Sequence, residues 1–98
     1  MFLKITCETI DGNKLFLNRW EDLDNYEGRI SELFVNVNKL TSLPKLPESL
    51  KVLECNYNDL TSLPELSESL EVLYCYYNKL TSLLPELNSG NGEKDLSF

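Results

Sequence analysis

Apolar residues recur along this chain with a fixed spacing. Ile30, Leu33, Val35 and Leu40 return as Leu50, Leu53, Cys55 and Leu60, and again as Leu70, Leu73, Cys75 and Leu80, each set twenty residues after the last. One polar residue keeps the same step, as Asn38, Asn58 and Asn78. Within each set the fourth and sixth positions flank a single variable residue, the alternation of a short strand with one face in a core. A fixed short period carrying a fixed apolar pattern predicts a stacked solenoid, not a closed globule. The strands are expected side by side and parallel, because every return path has the same length and composition.

The return paths contain Leu43-Pro44 and Leu46-Pro47, then Leu63-Pro64 and Leu66, then Leu83-Leu84-Pro85 and Leu87. Proline fixes φ near −65° and removes a donor, which favours extended, polyproline-like or short 3₁₀ arms over α-helix. The asparagines fall where the chain bends away from each strand. A stacked amide column there bonds backbone groups of adjacent turns, so Asn38, Asn58 and Asn78 are assigned a structural ladder.

Before Ile30 the pattern weakens. Sliding back one period places Ile10, Leu15, Asn18, Trp20, Leu23 and Tyr26 on motif positions, with Asn13 breaking the second Leu, as in a degenerate repeat. A competing reading makes 2–8 and 14–19 a hairpin turning through Asp11-Gly12-Asn13. Either way residues 1–29 cap the apolar end of the stack. Three repeats follow at 30–49, 50–69 and 70–87, and 88–98 forms a tail or a truncated repeat in which Leu96 takes a core position. The strand around 71–77 is then at or near the end of the sheet, an open edge that invites pairing of two chains.

The segments L-x-x-L-x-x-x-x-N-x-L and the turns LTSLPKLPESL (40–50) and LTSLPELSESL (60–70) resemble the leucine-rich repeat family in its short, twenty-residue class. They are similar to repeats of bacterial effector proteins. The Cys at the sixth position, followed by Tyr-Asn, is similar to repeats of large DNA viruses of amoebae. The match covers roughly residues 30–87 and departs from the pattern outside them. The resemblance implies a right-handed superhelix with a parallel sheet on its concave face. It also implies recognition of a protein, a host factor if the source is viral or effector-like. Some effectors join such repeats to a ubiquitin-ligase domain; this chain ends where that domain would begin, so ligase activity is not implied.

Composition narrows the chemistry. Ninety-eight residues, 42% apolar, suit one small domain. Sixteen acidic against nine basic residues give a net charge of −7, which disfavours nucleic acid as a partner. No apolar run approaches a bilayer span and the N-terminus lacks a signal-peptide pattern, so a soluble, cytoplasmic protein is expected. Cys55 and Cys75 substitute for Val35 and are read as free, buried thiols; Cys7 is read as a strand residue. Without histidine the chain offers neither a Cys-His nucleophile nor a Cys/His zinc site. No carboxylates show calcium-loop spacing, so no metal and no cofactor are assigned.

Function is therefore sought on the outward strand positions. The fifth and seventh positions form the columns Lys14, Phe34, Glu54, Tyr74 and Phe16, Asn36, Asn56, Tyr76, with Leu17, Val37, Tyr57 and Tyr77 beside them. Tyrosine combines an apolar body with a polar tip and is enriched at binding hot spots. Phe34, Tyr57, Tyr74, Tyr76 and Tyr77 are the candidate protein-binding residues. The plainer alternative is that tyrosine suits strands and is covered by the tail or by a second copy. Glu48, Glu65, Glu68, Glu71 and Glu86 lie on or near the return arms, as a strip for a cation or as an ordinary solvated surface. The expected function is a non-enzymatic interaction module; the alternative is a structural protein that forms a homodimer through its C-terminal edge.

Overall fold

The N-terminal hairpin decides the architecture. In the computed structural model, which describes residues 3–80 and 95–97, β1 (Ile5–Thr9) and β2 (Lys14–Leu17) pair antiparallel. The turn between them is closed by the Thr9 N–H to Asn13 C=O (2.9 Å) and the Gly12 N–H to Thr9 C=O (3.0 Å), with Gly12 at φ +88°. It is β1, not β2, that meets the repeats, antiparallel to β3 (Ile30–Phe34). A 3₁₀ helix, Trp20–Tyr26, links β2 to β3 and buries Leu23 against the core.

From β3 onward the strands are parallel. β4 (Val52–Glu54), β5 (Val72–Tyr74) and β6 (Asp95–Ser97) follow in order, so the sheet runs β2-β1-β3-β4-β5-β6. Five of these strands lie within residues 3–80. Leu33 pairs with Leu53 and Leu53 with Leu73, and the backbone of Leu73 stands in register with Leu96. Inward side chains, among them Ile5, Cys7, Ile30, Leu33, Val35, Leu50, Leu53, Cys55, Leu60, Leu70, Leu73 and Cys75, form one continuous buried cluster. Fully burying each aliphatic chain contributes roughly 1.5–3 kcal/mol.

The return arms are irregular. Leu43, Leu46 and Leu63 point back into the core, and each described arm ends in a single turn, Leu50 N–H to Pro47 C=O and Leu70 N–H to Ser67 C=O, both 3.2 Å. Serine hydroxyls stitch successive arms together: Ser49 donates to Ile30 C=O (2.7 Å) and Ser69 to Leu50 C=O (2.8 Å).

This overturns the expected solenoid. The sheet is mixed, not parallel throughout, and the chain folds into a compact body of 34 × 30 × 17 Å with a radius of gyration of 12.8 Å. A compact globular chain of this length has about 13 Å. Too few units are stacked for a superhelical axis to develop, and the antiparallel hairpin adds width at one end. The columns change with it. Lys14 lies in the row of Glu8 and Glu32, and Phe16 in the row of Thr6 and Phe34, so neither stands twenty residues' register from β3 as the columns required. The strand within 71–77 is the last but one of the sheet, near its end, since β6 pairs with β5. The expectations for Leu83, Leu84, Pro85, Glu86 and Leu87, and for the polar run from Asn88, lie outside the described residues.

Candidate protein-binding face

Alternation about the buried Cys7, Leu33, Leu53 and Leu73 turns one set of side chains outward. The middle row reads Phe16, Thr6, Phe34, Glu54, Tyr74 across β2, β1, β3, β4 and β5. The row beside it reads Lys14, Glu8, Glu32, Val52, Val72. Past the strand ends, on the other side of the middle row, come Asn36, Asn56 and Tyr76. Phe34, Glu54 and Tyr74 are half-buried, whereas Phe16 is 79% exposed at the edge strand.

The candidate tyrosines form two stacked pairs. Tyr74 and Tyr76 lie 6.0 Å apart between ring centroids with planes 10° from parallel, and Tyr57 and Tyr77 lie 4.7 Å apart at 13°. Tyr57 and Tyr77 point outward because their backbones are left-handed, φ 58° and 55°; Val37 takes the same conformation at φ 58°. Left-handed backbone costs a residue with a Cβ about 1–2 kcal/mol, and a β-branched one is an outlier there. At two of these positions a bond from the N–H to the next unit holds the bend: Val37 N–H to Asn56 C=O and Tyr57 N–H to Tyr76 C=O, both 2.9 Å.

Two asparagine ladders fix this bend. In the inner one, Asn58 accepts from the N–H groups of Asn38 and Leu40 (both 3.0 Å) and donates to the carbonyls of Val35 and Cys55 (both 3.0 Å). Asn78 accepts from Leu60 N–H (3.1 Å) and donates to Cys55 C=O (2.9 Å). Among the described residues no buried side-chain nitrogen or oxygen lacks a partner. The outer ladder was not anticipated: Asn36 Oδ1 accepts from Asn56 N–H (2.8 Å), and Asn56 Oδ1 from Tyr76 N–H (2.6 Å). Its signal was present in the sequence, since Asn36 and Asn56 are themselves twenty residues apart.

Glu8 and Glu32 were also missed. They face each other across β1 and β3, and the alternation about Cys7 and Leu33 places both outward. Burial, then the neighbouring Glu8 and Glu54, hold the Glu32 carboxyl above the usual range, with Lys14 opposing weakly. Glu54 is touched by the Asn36 amide at 3.4 Å.

Cys7, Cys55 and Cys75 are buried thiols, not disulfides. Burial pushes Cys7 up to about 11, and Cys55, held against Cys75 and buried, is also pushed up. Among the described residues no group of three or more acidic or Cys side chains is arranged to hold a metal, and no helix is long and apolar enough to cross a membrane. On the opposite side, a shallow cavity of about 570 Å³ lies between return arms, lined by Lys45, Glu48, Glu65 and Glu68. No protein-family model, curated protein or solved structure matches the chain.

Proposed function

We propose that the protein is a non-enzymatic interaction module that docks another protein on the outward sheet face. Phe34, Tyr74 and Tyr76 lie on that face, and Tyr57 and Tyr77 stand along its border. The observation that carries this reading is the arrangement of four tyrosines as two parallel stacks, with Tyr57, Tyr76 and Tyr77 exposed. Rigid, amphipathic rings lose little conformational freedom on contact, which is why such residues dominate binding hot spots. The resemblance of the repeated segments to leucine-rich repeats supports recognition as the activity and is offered as kinship of motif, apart from the superhelix it implied. A non-enzymatic role is supported by the burial of Cys7 and its raised thiol. Three thiols, none in a disulfide, fit a reducing cell interior, a host cell's if the effector or viral likeness holds.

The competing reading is a homodimer. It is favoured by the highly exposed Phe16 on the edge strand β2. Light scattering across a concentration series, on wild type and on Tyr76→Ser/Tyr77→Ser, separates the two. The docking reading expects a monomer in both, and capture of a discrete protein that the double substitution abolishes. A wild-type dimer, dissolved either by these substitutions or by Phe16→Ser on the β2 edge, would replace docking with self-association, and unaltered capture would remove this face from consideration.

A further inference from the structure

The outward face carries more than aromatic rings. Glu54 stands in cross-strand register with Phe34 on one side and Tyr74 on the other, and Tyr76 stacks on Tyr74. One carboxylate is thus set between two aromatic residues on backbones about 10 Å apart, two strand spacings. Glu32 and Glu8 continue the negative charge along the adjoining row, against Lys14 at its far end. Aromatic walls around a carboxylate suit a cationic side chain, which gains from the ring faces and from the charge together. An anionic or purely apolar partner would have to desolvate the three carboxylates without compensation.

We infer that the partner of this face is a protein segment bearing lysine or arginine, laid over the sheet with one cationic side chain above Glu54, between Phe34 and Tyr74, and a second reaching Glu32. The inference rests on the docking reading above and names the chemistry of the partner. A partner segment in extended conformation repeats its side chains every second residue, at about 6.6 Å, which suits successive seats on a pleated surface. The remaining acidic surface sharpens the requirement for a control, because a chain with net charge −7 attracts any polycation.

The test uses a dye-labelled hexapeptide alternating arginine and serine, and its counterpart with glutamine for arginine, titrated by fluorescence anisotropy at 150 mM salt. Four proteins are compared: wild type; Glu32→Gln/Glu54→Gln; Phe34→Leu/Tyr76→Ser; and Glu65→Gln/Glu68→Gln, which removes the same charge from the return arms. Circular dichroism first confirms that each variant is folded, and a double variant that is not is replaced by one of its own single substitutions: Glu54→Gln, Tyr76→Ser or Glu65→Gln. Wild type is expected to bind the arginine peptide at least ten-fold more tightly than the glutamine peptide. The two face variants are expected to lose about ten-fold, and the arm variant less than two-fold. Equal losses in face and arm variants, or no loss in the aromatic variant, would reduce the effect to bulk charge and overturn the inference. If wild type binds neither peptide, the cationic partner is wrong, while the docking reading still stands or falls with the capture lost on Tyr76→Ser/Tyr77→Ser.

Discussion

The side chain of Asn38 grips the backbone of Lys4 at two points: Oδ1 accepts from the Lys4 N–H at 2.8 Å and Nδ2 donates to the Lys4 carbonyl at 2.9 Å. Thirty-four residues earlier in the chain, the entry to β1 thereby takes the place that a preceding repeat would have filled. The amide column and the hairpin are one hydrogen-bonded system.

That system sets a hierarchy among the asparagines. Asn58 is buried and its amide serves carbonyls and N–H groups of two units, so Asn58→Ala should cost about 3 kcal/mol or more by stranding them. Asn56 is half-exposed and water replaces its contacts, so Asn56→Ala should cost about 1 kcal/mol. Asn38→Ala should fall between, with faster amide exchange at Lys4. Urea denaturation of the three variants measures the order; equal costs would contradict it.

Val37 carries backbone strain with no aromatic stack to show for it. Asparagine tolerates left-handed φ, so Val37→Asn should raise stability by about 1 kcal/mol. Tyr57→Asn should gain much less, because the same relief is offset by the lost stack on Tyr77. Paired thermal melts decide between them.

Glu32 makes stability depend on pH in an unusual direction. Its carboxyl is raised, so the folded chain binds the proton more tightly than the unfolded chain does, and ionisation as pH rises through the raised value becomes a penalty. Glu32→Gln should therefore stabilise the protein at pH 7 by about 0.2–1 kcal/mol, the range for a like-charged cross-strand pair. The gain should vanish below the carboxylate range. Asp11 works oppositely: the Thr9 hydroxyl lowers its carboxyl, giving stability that is present above the ordinary carboxylate value and lost as pH falls through the lowered one. Melts from pH 2 to 7 on the wild type, Glu32→Gln and Asp11→Asn measure the two effects.

Thiol chemistry offers a direct check on the core. Cys7, Cys55 and Cys75 should resist a thiol-specific disulfide reagent at neutral pH in the folded state and react together once urea unfolds the chain. Rapid labelling of Cys7 in the folded protein would contradict its burial and reopen a nucleophilic role.

Periodicity made the register of Leu33, Leu53 and Leu73 legible, because a twenty-residue step returns the same side chain to the same face. It did not reveal the direction of β1. Ile5, Cys7 and Thr9 alternate as well in either orientation, and only the long-range bonds to β3 choose antiparallel. The bend at Val37, Tyr57 and Tyr77 was also hidden, since neither valine nor tyrosine signals positive φ. Of the candidate residues, the structure brings Tyr57 to Tyr77 and Tyr74 to Tyr76, and leaves Phe34 across from Glu54. Glu8 and Glu32 escaped attention because only their register makes them neighbours.

The register across β3, β4 and β5 also limits how such a chain can change length. Each strand meets the next through residues twenty apart, and the amide of one unit satisfies the backbone of its neighbour. Removing 50–69 in full would set Leu73 opposite Leu33 and Asn78 beneath Asn38, with the ladder bonds remade. Losing nineteen or twenty-one residues would keep the strand's face only if the connecting arm absorbed the difference, since the strand itself tolerates no slip of one residue; the twenty-three-residue step from Leu73 to Leu96 keeps register in this way. Sixty nucleotides is therefore the change of length in this stretch that leaves both the strand register and the amide ladder in place without an adjusted arm.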